Sequence, residues 1–287
     1  MISVLWGMNW PTLGFALHEL PPWTVRAITL GTAGAILLAF NALRGTSLRI
    51  PRGDWRVLFT LSMLYVVMQN VLISYAQVHA PSGRMAIVTF TMPIWTTILA
   101  ARYLHEPLNR ERMLGLAFGI AGLVALAWPA FHTDTLLGWM LALGSAWCWA
   151  AAVILIKRRP VQASALAVAT WQIVVGAAVI TVGMFVFEGS PAHRTISAGA
   201  AAALGYNIFS QCVSQVLWFG TLARLPAVLA SLGILLVPTV AVVGSAFVLG
   251  ERPTLLDCVG LVLITCASAT AQLAWLFDRR RARGPGR

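Results

Sequence analysis

Ten apolar runs take up most of the 287-residue chain and limit what it can fold into. A helix needs roughly 20 apolar residues to cross a bilayer. Charged residues make up 10% of the sequence, against about 25% in a soluble domain. We therefore predict an all-α integral membrane protein with ten transmembrane helices, at residues 2–17, 24–43, 55–76, 82–104, 110–128, 136–156, 163–187, 196–219, 227–249 and 254–277.

One proline-centred segment occurs twice, at an offset of 145 residues. Its matched positions are Pro81 and Pro226, Pro93 and Pro238, and Glu106 and Glu251. The sequence thus predicts two five-helix repeats, residues 1–131 and residues 132–287, the second with a basic tail. An odd number of spans inverts the second repeat relative to the first, and inverted repeats commonly hold a substrate site near the bilayer midplane.

The net charge of +11 raises the possibility of nucleic-acid binding, so the distribution of the charge has to decide. If the N-terminus is cytoplasmic, every Lys and Arg falls on the inside except Arg26, Arg84, Arg194 and Arg252. This asymmetry follows the positive-inside rule of membrane proteins. We therefore interpret the basicity as a topology signal, expect no nucleic-acid partner, and place both termini in the cytoplasm.

Helix eight of the ten carries three amides, Asn207, Gln211 and Gln215, that recur every four residues and form one stripe. Polar side chains at this depth rarely face lipid. Under the repeat offset Gln215 corresponds to Asn70 of helix three, so polar positions of both halves would face one space. A shared cavity is the favoured interpretation, and interhelical hydrogen bonding is the alternative.

The central prolines of the two copies, Pro93 and Pro238, each remove a backbone donor within a predicted span. They either act as hinges or curve their helices. The sequence contains no zinc-protease motif, nucleophile elbow, phosphate loop or carboxylate cluster. We therefore expect no catalytic residue, metal or cofactor, and rank a membrane-embedded enzyme or lipid-handling protein well behind a transporter.

All nine acidic residues fall in loops or at span ends, and the basic residues lie at or near span ends. A proton-coupled exporter of cationic drugs needs an ionisable group deep in the membrane that binds proton and drug alternately. The sequence therefore predicts a mostly uncharged cavity and transport without obligatory proton exchange. A proton-coupled multidrug or metabolite exporter is the alternative, and a phosphate or nucleotide-sugar exchanger ranks low.

The ten-span plan, the repeated proline segment and the tryptophan-containing start of each half resemble the EamA branch of the drug/metabolite transporter superfamily. Trp149-Ala150-Ala151 and Phe90-x-Met92-Pro93 resemble the YddG-type exporters of aromatic and other amino acids. The resemblance implies that helices one, three, four, six, eight and nine surround a central cavity, with five and ten at the back. It also implies a multi-pass transporter of the bacterial inner (plasma) membrane, surrounded by lipid, monomeric or homodimeric.

On this arrangement the chain is expected to export amino acids and related small metabolites by alternating access. The aromatic candidates either contact substrate or pack, and the polar ones contact substrate or cavity water. The residues predicted to bind substrate are Asn9, Trp10, Tyr65, Gln69, Asn70, Phe90, Trp149, Tyr206, Asn207, Gln211 and Gln215.

Overall fold

The computed structural model describes residues 2–105, 108, 110–130, 135–190, 195–224 and 236–282, and every regular element in these residues is helical. A 3₁₀ helix, Arg52–Asp54, precedes the third helix, and a π-helical segment, Ser62–Met68, follows it. The α-helices are α1 (Ile2–Leu17), α2 (Pro22–Leu43), α3 (Trp55–Leu61), α4 (Gln69–His79), α5 (Ser82–Thr89), α6 (Met92–Tyr103), α7 (Arg110–Ala130), α8 (Leu136–Arg158), α9 (Ala165–Phe187), α10 (Ala198–Arg224), α11 (Val237–Val248) and α12 (Leu255–Ala282).

Five helical stretches of the described chain are long and apolar enough to cross a membrane, and each overlaps a predicted span. They are Pro22–Leu43, Arg52–His79, Ser82–Tyr103, Leu136–Arg158 and Ala165–Phe187. Shorter apolar helices, Met113–Ala125, Val237–Val248 and Leu255–Ala267, fall within three more predicted spans. The described part of the chain is therefore all-helical, with the several long apolar helices of a multi-pass membrane protein. The count of ten spans and their inverted order stay predictions.

The fourth predicted span consists of two helices rather than one. α5 ends at Thr89, α6 begins at Met92, and Pro93 lies in the first turn of α6. Proline is tolerated there because the first backbone N–H groups of a helix have no intrahelical acceptor. The interruption therefore precedes Pro93, which lies in the first turn of a helix and does not bend one. The hinge role predicted for Pro93 stays a prediction.

The second copy of the segment repeats this arrangement. α11 begins at Val237 with Pro238 in its first turn. At the repeat offset of 145 residues, the first and last residues of α6 correspond to the first and last residues of α11, and both helices have 12 residues. Pro226, at the start of this copy, lies outside the described residues.

The helices pack in pairs that leave a central space. α7 packs against α12, α2 against α9, and α1 against both α10 and α11, while α4, α5 and α6 pack on α8. Glycine permits close contacts between such pairs: a Cβ on Gly7 of α1 would lie 2.4 Å from Cβ of Val240 in α11, and a Cβ on Gly122 of α7 would lie 3.0 Å from Cδ1 of Ile264 in α12. Gly122 of α7 therefore serves packing within the chain.

Carboxylates of the second half cap helices of the first half at the end of the bundle predicted to face the exterior. The Glu251 carboxylate accepts hydrogen bonds from the backbone N–H groups of Ser82 (2.6 Å) and Gly83 (2.9 Å), which begin α5. Glu188, which follows α9, accepts in the same way from Thr24 (2.7 Å) at the start of α2. Unpaired N–H groups and the helix dipole both favour an anion at these positions.

Next to the Glu251 contact, Arg84 of α5 forms a bidentate ion pair with Asp257 of α12. The distances are 2.6 Å from Nε to Oδ1 and 2.9 Å from Nη2 to Oδ2. Asp257 also accepts from the backbone and hydroxyl of Thr254, at 2.8 Å each, and so closes the N-terminus of α12. Arg84, predicted on the outside of the membrane, is thus a nearly buried contact between two helices.

Candidate functional site

A cavity of about 100 Å³ occupies the space between α1, α2, the π segment with α4, the α5–α6 interruption, α8, α10 and α11. The described residues of α7, α9 and α12 do not line it. The helices implied by the family resemblance thus surround the cavity, and α2 joins them. The lining residues are Trp6, Asn9, Trp10, Leu13, Arg26, Tyr65, Val66, Gln69, Asn70, Ile73, Gln77, Phe90, Trp149, Gln211 and Val237.

One wall of the cavity is aromatic and centres on Trp149 of α8. Its ring centroid lies 6.1 Å from that of Tyr65, at a tilt of 53°, and 5.9 Å from that of Phe90, nearly edge-on at 78°. Edge-to-face pairs at such distances are favourable because of the ring quadrupoles. Phe90 reaches this position because the chain leaves helical geometry between α5 and α6. The wall suits an apolar or aromatic ligand group.

A polar wall adjoins the aromatic one and belongs to α4, next to the π segment. The Asn70 side-chain amide donates to the Tyr65 carbonyl oxygen at 3.3 Å, and the Ser74 hydroxyl donates to the Asn70 carbonyl oxygen at 2.8 Å. π-Helical turns are rare and frequently occur at functional sites, since they rearrange side chains along a helix. Here the π segment carries Tyr65 into the aromatic wall just before Gln69 and Asn70 begin the polar one.

Two polar atoms of cavity-lining residues are buried and have no hydrogen-bond partner among the described residues. They are the acceptor Oδ1 of Asn9 and the donor Nε2 of Gln77. The amide oxygen of Gln77 accepts from the Ser82 hydroxyl at 3.2 Å, which fixes the nitrogen on the other side. An unpaired buried polar group costs about 1–3 kcal/mol. A ligand or water that pairs one of these atoms recovers that free energy for each atom it pairs.

Most of the predicted substrate-binding residues meet at this cavity. They are Asn9, Trp10, Tyr65, Gln69, Asn70, Phe90, Trp149 and Gln211. Their proximity is a property of the structure, and their contact with substrate stays a prediction.

Two predicted residues of α10 point elsewhere. The Tyr206 hydroxyl donates to the Leu5 carbonyl oxygen at 3.2 Å, and the Asn207 amide donates to the Thr12 hydroxyl at 3.0 Å. Both bonds attach α10 to α1, so this placement supports the interhelical alternative for these residues. The side chain of Gln215 lies outside the described residues.

Arg26 is a cavity-lining residue that sequence reasoning missed. It lies in the second turn of α2, it is 6% exposed, and its Nε donates to the Ser74 hydroxyl at 2.7 Å. The expectation of a mostly uncharged cavity therefore needs correction. Arg26 lies so close to the start of the predicted span that the sequence placed it outside the membrane, whereas the packing of α2 against α4 directs its side chain inward.

Two segments of the chain match one protein family. Residues 1–128 and 136–271 each match the EamA-like transporter family. The chain belongs to the EamA-like transporter family. It is a membrane transporter, and the two matched segments follow one another along the chain.

Several relatives of this EamA-family transporter are named as transporters. The "Uncharacterized transporter YoaV" of Bacillus subtilis is 23% identical and covers 98% of this chain and 96% of its own length. A "Probable amino-acid metabolite efflux pump" of Escherichia coli is 24% identical over 92% of this chain and 90% of its own. A "Probable terminal-alkyne amino-acid exporter" of Streptantibioticus cattleyicolor is 27% identical over 76% and 73%.

One solved crystal structure shares the fold of this EamA-family transporter. Its TM-score is 0.67 at 21% sequence identity, and the match covers 95% of this chain and 96% of the other. The agreement at this identity concerns the arrangement of helices alone.

Proposed function

We propose that this EamA-family transporter exports neutral amino acids, aromatic ones included, and related small metabolites by alternating access, without obligatory proton coupling. The observation that carries the proposal is the cavity itself, whose lining combines an aromatic wall around Trp149 with a polar wall at Asn70 and Gln77. Such a division suits a zwitterion with an apolar side chain. Two relatives are named as probable amino-acid metabolite efflux pumps and a third as a probable terminal-alkyne amino-acid exporter. These names support amino acids and their metabolites as the substrate class.

The size of the cavity bears on how a substrate would fit. Its volume of about 100 Å³ is below the range of about 300–1,000 Å³ usual for small-molecule sites. An aromatic amino acid therefore needs the walls to separate before it can bind. The Tyr65, Phe90 and Trp149 rings meet only at their edges or at a tilt, which is an arrangement that side-chain rotation can open.

Alternating access is supported by the repeated segment and by the capping carboxylates. α6 and α11 begin and end at matched positions of the two halves, so one movement has a counterpart in the other half if the repeats are inverted. The contact of Glu251 with the start of α5 joins the halves at the end predicted to be outside. On this proposal, the opening of that end breaks the contact.

Uncoupled transport is supported by the absence of acids from the lining. No Asp or Glu is among the described residues that line the cavity. A proton-coupled multidrug or metabolite exporter, the competing function, requires an ionisable group that exchanges protons in the substrate path. Arg26 is a poor proton carrier, because a guanidinium remains charged, and it repels organic cations.

Purified protein in proteoliposomes tests the proposal. With no pH gradient and no membrane potential, labelled L-phenylalanine and L-leucine should equilibrate across the membrane faster than in protein-free liposomes. Accumulation above equilibrium under an imposed proton gradient alone would overturn the uncoupled mechanism. Failure to move any amino acid, together with export of an organic cation such as ethidium, would establish the competing function instead.

A further inference from the structure

Arg26 is the one cation among the described residues that line the cavity. Its Nε donates to the Ser74 hydroxyl, and Ser74 in turn donates to the Asn70 carbonyl oxygen. This chain of bonds fixes the plane of the guanidinium against α4. The fixed bond uses Nε alone and leaves the terminal Nη1 and Nη2 groups as the donors that can meet a ligand.

No carboxylate in the described part of the chain compensates the Arg26 charge. Each described carboxylate is engaged elsewhere, and the one ion pair found is that of Arg84 with Asp257. A buried cation without a counter-ion is costly, so a site of this kind gains from an anion that enters it. The acid–partner contacts are Glu19 with Ser197, Asp54 with Gln162, Glu188 with Trp23 and Thr24, Glu251 with Ser82 and Gly83, and Asp257 with Arg84 and Thr254.

The unpaired atoms of the cavity complement the two ends of an amino acid. Gln77 lies three residues after Ser74 on α4, hence on the same face of the helix, and its unpaired Nε2 is a second donor for a carboxylate. Asn9, on α1, offers an unpaired acceptor oxygen, which suits an ammonium group. A carboxylate only accepts and an ammonium only donates, so the two ends are not interchangeable in this site.

We propose that Arg26 binds the carboxylate of the substrate through Nη1 and Nη2, so that the transporter selects carboxylate-bearing molecules over the corresponding amides, amines and organic cations. This inference rests on the proposed function only in taking the cavity as the substrate path. A guanidinium matches a carboxylate in a bidentate geometry that an ammonium does not reproduce. Lysine is therefore a poor replacement at this position.

The competing role for Arg26 is a tether between α2 and α4, made by the same bond to Ser74. A tether affects all substrates alike, whereas a carboxylate-binding residue changes the ratio between substrates with and without that group. The ratio of L-phenylalanine to L-phenylalaninamide is thus the informative quantity. Both molecules carry the same ring and the same amino group.

The first measurement uses the unaltered protein. Ligand binding stabilises the folded protein by RT ln(1 + [L]/Kd) and so raises the melting temperature. Titrations with L-phenylalanine, 3-phenylpropionate, L-phenylalaninamide and phenethylamine therefore rank the four affinities. We expect the two carboxylates to bind about tenfold or more tightly than the amide and the amine. Equal affinities for phenylalanine and its amide would overturn the proposal whatever the variants do.

The second measurement compares uptake by Arg26→Gln, Arg26→Lys and Arg56→Gln in proteoliposomes. Arg56 is exposed on α3 and away from the cavity, so its variant is the matched control for loss of one charge. We expect Arg26→Gln to lower the phenylalanine-to-amide ratio about tenfold or more, Arg26→Lys to restore it only in part, and Arg56→Gln to leave it unchanged. A folded Arg26→Gln protein with the original ratio would contradict the proposal.

The two measurements separate this inference from the proposed function. If amino acids are transported but the Arg26→Gln ratio is unaltered, the inference is wrong and amino-acid export stands. If no amino acid is transported while 3-phenylpropionate is, and its uptake depends on Arg26, amino-acid export is wrong and the inference stands.

Discussion

The indole of Trp149 meets the ring of Phe90 nearly edge-on, with their centroids 5.9 Å apart. The contact joins α8 of the second half to the α5–α6 interruption of the first half. The contact is part of the aromatic wall of the cavity, whose polar lining residues include Asn70 and Gln77.

The first prediction concerns this aromatic wall. Trp149→Ala and Trp10→Ala should lower the preference for L-phenylalanine over L-leucine about two- to tenfold, since aromatic pairs contribute about 0.5–1.5 kcal/mol beyond area burial. Competition for uptake in proteoliposomes measures the preference. Trp147→Ala is the control, because Trp147 is 47% exposed on the same helix, α8. A loss of folded protein with no change of preference would identify Trp10 and Trp149 as packing residues.

The second prediction separates two amides of α10. Gln211→Ala should reduce flux with little change in melting temperature, because Gln211 lines the cavity. Asn207→Ala should instead destabilise the fold by about 1–3 kcal/mol, because it removes the bond to Thr12 that joins α10 to α1. Flux per folded molecule and thermal unfolding in detergent, taken together, distinguish the two effects. Full flux in the Gln211 variant would assign that residue to packing as well.

The third prediction concerns the pH dependence of the Glu251 contact. Burial raises the pKa of Glu251 above its ordinary value of 4.5, and the backbone N–H bonds from Gly83 and Ser82 oppose this only in part. The folded protein thus holds this proton more tightly than the unfolded chain, so the contribution to stability is complete below pH 4.5 and is lost as the pH rises through the raised pKa.

Melting temperatures of the unaltered protein and of Glu251→Gln, recorded from pH 4 upwards, measure the contribution of the Glu251 carboxyl group to stability. The advantage of the unaltered protein over the variant should shrink as the pH rises. Should the advantage grow with pH, the hydrogen bonds to the ionised carboxylate outweigh its burial.

The fourth prediction tests helix packing around the cavity. A Cβ on Gly138 of α8 would lie 2.8 Å from Cβ of Ala80 and 2.9 Å from the Ala76 carbonyl oxygen. Backbone cannot yield as a side chain can, so Gly138→Ala should destabilise the protein by about 1–3 kcal/mol. Gly31→Ala in α2 is the control, since no described atom lies within 4 Å of its added methyl group. The control should be neutral or stabilising, by up to about 1 kcal/mol.

Much of the helical plan could be predicted from sequence because transfer into lipid depends on long apolar runs, which are visible one residue at a time. The repeat was equally accessible, since proline constrains the backbone wherever it occurs. The start of α6 at Met92 and of α11 at Val237 follows from that shared constraint.

The details of the site depended on tertiary contacts that leave no local signal. The position of Arg26 at the start of a span is typical of an interfacial residue, and only the packing of α2 beside Ser74 directs it into the cavity. Helical periodicity placed Asn207 and Gln211 on one stripe, but that stripe is divided between the α1 interface and the cavity. The π segment, Ser62–Met68, contains residues that are also compatible with an α-helix, so its sequence does not indicate π-helical geometry.

The Glu251 contact limits positions 82 and 83 in different ways. Its partners are main-chain N–H groups, which every residue except proline possesses, so the hydrogen bond from position 82 does not itself require serine. Packing restricts that position instead, because Ser82 is 3% exposed and a Cβ on Gly14 would lie 2.3 Å from its Oγ. At position 83 the carboxylate itself is the obstacle, since a Cβ there would lie 3.1 Å from Oε2 of Glu251 and 3.2 Å from Cα of Val242. The same carboxylate that caps α5 therefore excludes side chains from the second residue of that helix.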